Sequence, residues 1–182
     1  MTLVFKNGQP ISGIDIGFWK TAAKIQKIRT VSHFFILLRL QTLNSTSMSY
    51  KIIDVEGIGN VYAEKLTEAG INTVEELLEK GKKPAGRAEL AEKTGISAKL
   101  ILTWCNHADL MRINGVGPQF SELLEAAGVD TVKEFRHRVA ENLFAKMTEI
   151  NEEKHLVGRV PTATELQKMI DQAKEMEPMM EY

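Results

Sequence analysis

Two segments of this chain repeat one another 58 residues apart (52 to 110), and each contains a Gly-x-Gly turn. Residues 52–77 read IIDVEGIGNVYAEKLTEAGINTVEEL, and residues 110–135 read LMRINGVGPQFSELLEAAGVDTVKEF. An internal repeat reveals the supersecondary unit without any second sequence. The pattern predicts a helix, a tight Gly-apolar-Gly hairpin and a second helix, occurring twice. The turn glycines align in the two copies: Gly57 with Gly115, and Gly59 with Gly117.

The body of the chain, taken as residues 48–182, has the pattern of helices throughout. Three capping-box pairs mark helix starts, and no stretch alternates with the period of a strand. We therefore expect an all-α fold of tandem helix-hairpin-helix units related by a pseudo-two-fold, plus C-terminal helices. Each unit has only short helices, so we expect each to pack against its copy, with Ile58 and Val116 buried. The capping pairs are Thr73 with Glu76, Thr131 with Glu134, and Thr162 with Glu165.

Residues 81–109 are expected to bridge the two repeats. The segment GKKPAGR (81–87) is predicted to be a loop because of its Gly and Pro content, and two short helices follow around Gly95. One interpretation is a helix-turn-helix with residues 97–103 as the recognition helix. The other is a helical hairpin that only packs, and it is favoured because the outward residues lack base-reading side chains. The Met-rich end, residues 176–182, is expected to fray.

The first 47 residues differ from the body in charge. They carry six basic residues and one acid, whereas the body carries 17 basic and 23 acidic residues. Residues 19–43 are basic and amphipathic, which is typical of an organellar presequence or a membrane-surface helix. Alternatively, translation begins at Met48 and residues 1–47 lie outside the fold, which is the interpretation we favour. The apolar run at 34–38 is far shorter than the ~20 residues of a membrane span.

The Gly57-Ile58-Gly59 hairpin has the features of an anion site. Glycines reverse the chain without a Cβ penalty and let a ligand approach the main chain. The helix that follows presents unpaired N–H groups and the positive end of its dipole. Backbone phosphate of nucleic acid fits that geometry without any base being read.

This arrangement resembles the helix-hairpin-helix superfamily, on VEGIG (55–59) and INGVG (113–117). Many members of that superfamily bind DNA without sequence specificity, so the resemblance implies contact with nucleic-acid backbone. The whole body resembles a family known as domain of unknown function 4332, which implies a fold and leaves the function open. That resemblance rests on GRAELAEKTGIS (86–97), WCNHADLMRINGVG (104–117), LLEAAGVDTVKEF (123–135) and NEEKHLVGRVP (151–161).

The predicted function is weak, non-specific binding of DNA or RNA backbone through the two hairpins. Because the body is acidic, such binding must be local. Glu56 beside the first hairpin would repel phosphate, so the alternative is a protein-interaction module that uses the hairpins only for packing. The candidate nucleic-acid contacts are Gly57, Ile58, Gly59, Asn60, Lys65, Lys82, Lys83, Arg87, Arg112, Gly115, Val116 and Gly117.

Catalysis, cofactors and metals have no support in the sequence. It contains no nucleophile-base pair, phosphate-binding loop signature or metal-ligand spacing. The single cysteine, Cys105, lies in an apolar helical pattern and is expected to be a buried hydrophobe. A lone cysteine does not imply an oxidising compartment, and we expect a cytoplasmic, non-enzymatic protein.

We expect a chain that begins at Met48 to fold as stably as the full chain. The composition changes at residues 43–50, and the 135 residues from Met48 onwards (182 − 47) are enough to bury a core of their own. Thermal unfolding followed by circular dichroism measures this. Loss of the cooperative transition in the shorter chain would contradict it.

Overall fold

The computed structural model describes residues 50–182 and, before them, only the strands β1 (Phe5–Lys6) and β2 (Gln9–Pro10). The chain divides into two compact parts, Met1–Thr46 and Ser47–Tyr182. In the first part β1 and β2 pair antiparallel, with Phe5 opposite Pro10 and Lys6 opposite Gln9. The presequence-like segment predicted at 19–43 lies outside the described residues.

Residues 50–182 are helical, which confirms the prediction of an all-α body. A short 3-10 helix at Ile52–Asp54 comes first. Within this range the α-helices are α1 (Asn60–Glu68), α2 (Val74–Gly81), α3 (Pro84–Thr94), α4 (Ala98–Leu110), α5 (Pro118–Ala126), α6 (Val132–Phe135), α7 (Ala140–Lys154) and α8 (Ala163–Glu175).

The predicted helix caps are present. The Thr73 hydroxyl accepts the Glu76 N–H at 3.2 Å and starts α2, and the Thr131 hydroxyl accepts the Glu134 N–H at 3.4 Å and starts α6. Thr162 starts α8 in the same way, at 3.3 Å. Because each cap satisfies an otherwise unpaired N–H, these threonines fix where three helices begin.

The first glycine of each hairpin adopts the left-handed backbone, whereas Gly59 and Gly117 have φ −79° and −99°. Gly57 has φ +82° and Gly115 has φ +89°. Directly after each, the N–H of the central apolar residue bonds back across the turn, from Ile58 to the Val55 carbonyl and from Val116 to the Ile113 carbonyl, both at 3.0 Å. Ile58 and Val116 are buried, as predicted.

The apolar core differs from the expectation that each repeat buries its face against its copy. The buried side chains form two separate clusters. The first is built from residues 52–108 together with Met180, and the second from residues 110–173. Each of the two repeated segments, 52–77 and 110–135, therefore packs against the helices that follow it in the chain and not against the other segment.

Those closing helices recur in the second half of the body. The pairings α1–α3, α2–α4 and α3–α4 reappear as α5–α7, α6–α8 and α7–α8. Helices α4 and α8 place their core residues at the same distances along the chain from their N-cap residues, Ser97 and Thr162. These core residues are Ile101 and Leu166, Trp104 and Met169, Cys105 and Ile170, and Ala108 and Ala173.

Residues 81–109 are thus the second half of a four-helix repeat rather than a bridge. We call residues 50–109 the first repeat and residues 110–176 the second repeat. The face of α4 that carries Ile101 and Trp104 is buried, which agrees with a packing role for this helix rather than that of a recognition helix.

The loop predicted at 81–87 is shorter than expected. Helix α2 runs to Gly81 and α3 begins at Pro84, so only Lys82 and Lys83 connect them. Gly86 lies inside α3, where a Cβ would overlap the carbonyl oxygen of Lys80. Gly86, which the sequence predicts to be in a loop, therefore allows α2 and α3 to approach each other closely.

The prediction of a frayed C-terminus is wrong. Residues 176–182, which we call the C-terminal strap, cross back to the first repeat. Met180 is buried in the first cluster, and the Glu181 N–H donates to the Lys82 carbonyl at 2.9 Å. The strap therefore links the end of the second repeat to the core of the first.

The Gly86→Ala substitution should destabilise the protein by about 1–3 kcal/mol, because the added methyl must displace backbone at the α2–α3 junction. The gain in helix propensity from alanine works in the opposite direction. Gly158→Ala is the matched control, because nothing lies within 4 Å of the added Cβ there, and it should change stability by less than about 0.5 kcal/mol. Urea unfolding measures both. A Gly86→Ala protein as stable as the wild type would contradict the packing described.

Candidate functional site

The first hairpin leaves its main chain open. Gly59 is the N-cap residue of α1, with φ −79° and no side-chain cap, and a Cβ added there would meet nothing within 4 Å. Gly59, Asn60 and Val61 are exposed. Since the first N–H groups of a helix lack intrahelical partners, this end of α1 presents free donors to solvent.

The charges around this opening are mixed. Asp54 and Glu56 are exposed carboxylates on the hairpin side, and Lys51 is an exposed cation. Lys65, the basic residue predicted to assist phosphate binding, is half-buried on α1, next to the exposed Glu64. The electrostatic surroundings are therefore neutral to acidic, which does not favour a phosphate.

The second hairpin makes contacts with its own chain that the first lacks, although Asn114 and Gly115 remain exposed. The Asn114 N–H donates to the Gln172 side-chain oxygen of α8 at 3.2 Å. A Cβ at Gly115 would lie 2.9 Å from the Met169 Cε, and one at Gly117 would lie 3.5 Å from the Tyr50 hydroxyl. Pro118, the first residue of α5, has no N–H to offer a ligand. These contacts favour packing as the role of the second hairpin.

A cavity of about 400 Å³ lies where the two hairpins approach each other. Asp54 and Glu56 of the first hairpin line it together with Gly117 and Pro118 of the second. These two carboxylates make the opening at the start of α5 acidic, which does not favour binding of a further anion there. Burial, and then the charge of Glu56, raises the pKa of the Glu122 carboxyl on α5.

Arg87 lies away from the surface on which the sequence placed it. Its guanidinium is buried and donates to the Gly81 carbonyl at 2.9 Å, to the Lys82 carbonyl at 3.2 Å and to the Glu181 carbonyl at 2.8 Å. Arg87 therefore supplies hydrogen-bond donors to the carbonyl groups at the end of α2 and bonds the C-terminal strap to them. Three of its five donors are used on main-chain carbonyls and only 6% of the residue is exposed, so Arg87 is not placed to meet a phosphate.

Arg112 also serves the fold. Its Nη1 donates to the Asp109 carboxylate at 2.7 Å, and its Nη2 donates to the Glu177 carbonyl at 3.1 Å. Asp109 is completely buried, and its other oxygen accepts the Val132 N–H at 2.9 Å. Asp109 is a structural residue that the sequence did not reveal, because its partner Val132 lies 23 residues further along the chain.

The remaining predicted cations form exposed ion pairs. Lys82 pairs with Glu79, and Lys83 lies 3.7 Å from Glu181. Such pairs are weak, typically about 0–1 kcal/mol, and they reduce the positive charge that a polyanion would meet. Among the residues that the structure describes, Lys65 alone of the predicted cations lacks a hydrogen-bonding or ionic partner.

A groove lies beside the first hairpin, between the 3-10 helix and α1. It has a volume of about 630 Å³, and Ile52, Ile53 and Ala63 form much of its apolar lining. The carboxylates of Glu64 and Glu68 stand along α1 at the same groove. We call this feature the α1 groove. Ile53, which lines the groove, is 44% exposed.

His107 connects the two repeats. It is buried on α4, and its Nε2 lies 2.8 Å from the Glu125 carboxylate on α5. The hydrogen bond from His107 lowers the pKa of Glu125. Within the described residues the His107 Nδ1 has no hydrogen-bond partner. The contact fixes α5 against the last helix of the first repeat.

The described part of the chain offers no cluster of His, Cys, Asp and Glu that could hold a metal ion. Burial raises the pKa of the Cys105 thiol to about 12, so the thiol stays protonated and is a poor nucleophile. Of the helices that the structure describes, none has the length and apolar composition to cross a membrane.

Comparison with protein families identifies the fold. Residues 56–176 match the family described as "Domain of unknown function (DUF4332)", so the chain belongs to this family. The match begins at the first hairpin and ends at the C-terminal strap. A search of curated proteins and a search of solved structures each returned no significant match.

Proposed function

We propose that the body is a non-catalytic protein-interaction module whose binding surface is the α1 groove. The observation that supports this most is an open apolar surface in a repeat whose hairpin is not positively charged. Ile53 and Val61 are 44% and 65% exposed beside the first hairpin. An apolar surface rimmed by charged groups is typical of an interaction site.

The second repeat shows how such a hairpin is covered. There, α8 places the Met169 thioether over Gly115 and bonds the Asn114 N–H through Gln172. In the first repeat Trp104 stands at the equivalent position, 3.3 Å from a Cβ on Gly57. The residue equivalent to Gln172 is His107, which is bonded to Glu125 instead. The Glu56 N–H therefore stays open to an acceptor from a partner.

The chemistry of the partner follows from the groove. Its lining supplies apolar contact, and Glu64 and Glu68 supply negative charge on one side. A peptide with apolar side chains and flanking Lys or Arg would bury its apolar side chains in the groove. Its basic side chains would pair with Glu64 and Glu68. An amphipathic helix laid in a groove is a common mode for such recognition.

A displayed library of random peptides, panned on the full chain, tests this proposal. We expect enrichment of basic amphipathic peptides whose affinity falls by at least about tenfold, or 1.4 kcal/mol, on Ile53→Glu. Val139→Glu is the matched control, because Val139 is 56% exposed on another part of the body. Peptides that bind both variants equally, or enrichment of acidic peptides, would contradict the proposal. Thermal melts of both variants establish that they are folded.

A second function is favoured by the free N–H groups at the start of α1. In this proposal the two repeats contain helix-hairpin-helix units related by a pseudo-two-fold, as the hairpin sequences suggest. The first hairpin then holds nucleic-acid backbone at Gly57, Ile58, Gly59 and Asn60, with Lys65 as the supporting cation. With so few cations, the affinity should be in the roughly 10⁻⁴–10⁻⁶ M range of non-specific binding, with a shallow salt dependence.

Gly59→Val tests this second proposal in the full chain. Gly59 has φ −79° and open space around it, so valine should block the approach of a phosphate without straining the turn. We expect Gly59→Val and Lys65→Glu each to weaken binding to generic duplex and single-stranded DNA, and Gly117→Val to have less effect. Fluorescence anisotropy at low salt measures these affinities. Wild-type protein without detectable binding, or Gly59→Val with wild-type affinity, would exclude phosphate at this hairpin.

A further inference from the structure

A second surface on the body carries the positive charge that the hairpins lack. It is a cavity of about 440 Å³ between α6, the turn that follows it and the end of the C-terminal strap. We call it the α6 cavity. The residues that line it are Thr131, Lys133, Glu134, His137, Arg138 and Tyr182.

Comparison of the two repeats separates the structural residues of this surface from the others. Thr131 and Glu134 form the helix cap that Thr73 and Glu76 form in the first repeat. Arg138 donates to the Gly128 carbonyl, as Lys80 donates to the Gly70 carbonyl. These residues keep their structural roles in both repeats.

The outward positions between them reverse their charge. Lys133 stands where the first repeat has Glu75, and His137 stands where it has Glu79. Lys133 and His137 are exposed, and neither forms an ion pair in the described part of the chain, although the Arg136 Nε donates to the His137 Nε2 at 3.4 Å. Because the first repeat folds with acids at these positions, the basic residues are not required by the fold. The loss of two carboxylates and the gain of the Lys133 charge are a property of this surface alone.

The carboxylate within the α6 cavity is already engaged. Glu134 accepts the Asp130 N–H at 3.1 Å and lies 4.0 Å from Arg138. Nearby, Asp109 is held by Arg112 and by the Val132 N–H. Their negative charges are therefore partly balanced by internal donors, whereas the Lys133 ammonium faces solvent.

Tyr182 gives the cavity an exposed aromatic ring in a fixed position. The side chain is 72% exposed, while its hydroxyl donates to the Asn106 side-chain oxygen at 3.2 Å. Burial of the hydroxyl, and then the carboxylate of Glu134, raises the pKa of Tyr182, so the hydroxyl remains a donor. A ring tethered through its hydroxyl with its body in solvent is a suitable platform for stacking.

We propose that the α6 cavity binds single-stranded nucleic acid, with a base stacked on Tyr182 and backbone phosphate at Lys133 and His137. Cations next to an exposed aromatic ring are the combination that proteins use to bind unpaired strands. A paired base cannot present its face to the ring, so duplex should bind more weakly. An acidic peptide would use the cations but would gain little from the ring. The inference is independent of the α1 groove and of the first hairpin.

The test uses the full chain, a short fluorescein-labelled oligothymidylate at low salt, and four variants. Lys133→Glu and Tyr182→Leu should each weaken binding by about tenfold, since stacking on one aromatic ring contributes about 1–3 kcal/mol per base. Tyr182→Phe should bind nearly as tightly as wild type, because the ring remains. Lys168→Glu, an exposed position on α8 outside both proposed sites, removes the same charge and should leave the affinity unchanged. Thermal melts confirm that all four variants are folded.

Nuclear magnetic resonance identifies the site directly and separates it from any binding by residues 1–47. The proposal expects shifts of the Lys133, His137 and Tyr182 signals when the oligothymidylate is added. It is overturned if no binding occurs, if those signals stay unchanged, or if Lys168→Glu rather than Lys133→Glu removes the binding. Tighter binding of a phosphopeptide than of the oligonucleotide at these same residues would replace the strand with an acidic peptide as the ligand.

Discussion

The left-handed glycine of each hairpin is the constraint on which both repeats depend. Gly57 and Gly115 hold φ values of +82° and +89°, a conformation that residues with a Cβ adopt at a cost. The reversal turns Ile58 and Val116 into the core and starts the following helix. It also leaves no side chain at the turn, so the last helix of the repeat packs closely against it, through Trp104 in the first repeat and Met169 in the second. Hairpin, core and fourth helix therefore fit together as one unit.

Two copies of one fold present different surfaces because their outer residues differ. In the second repeat Gln172 completes the cover over the hairpin, and Lys133 and His137 add positive charge near α6. In the first repeat the hairpin and the α1 groove stay open, and carboxylates dominate the surroundings. The packing that both repeats share accounts for stability. From the differences between them we propose that protein binds at the α1 groove and an unpaired strand at the α6 cavity.

The local elements of this fold could be predicted from sequence, and the long-range ones could not. The hairpins and threonine caps follow from residues a few positions apart. The sequence does not reveal the four-helix repeat because equivalent helices differ in length. Helix α6 has 4 residues where α2 has 8, and α7 has 15 where α3 has 11. These length changes shift the register, so a comparison at the fixed offset of 58 holds as far as Arg138 and fails after it. The structural role of Arg87 could not be predicted, because one of the carbonyls that it binds, that of Glu181, lies 94 residues away in the chain.

Amide hydrogen exchange at two equivalent positions tests the central claim that the N–H before the left-handed glycine is bonded to the fourth helix in the second repeat and is free in the first. The Asn114 N–H is bonded to Gln172, whereas the Glu56 N–H has no partner among the described residues. Since exchange requires access of water to a free N–H, the account predicts slow exchange at Asn114 and exchange near the unfolded rate at Glu56. Equal protection at the two amides, or faster exchange at Asn114 than at Glu56, would contradict it.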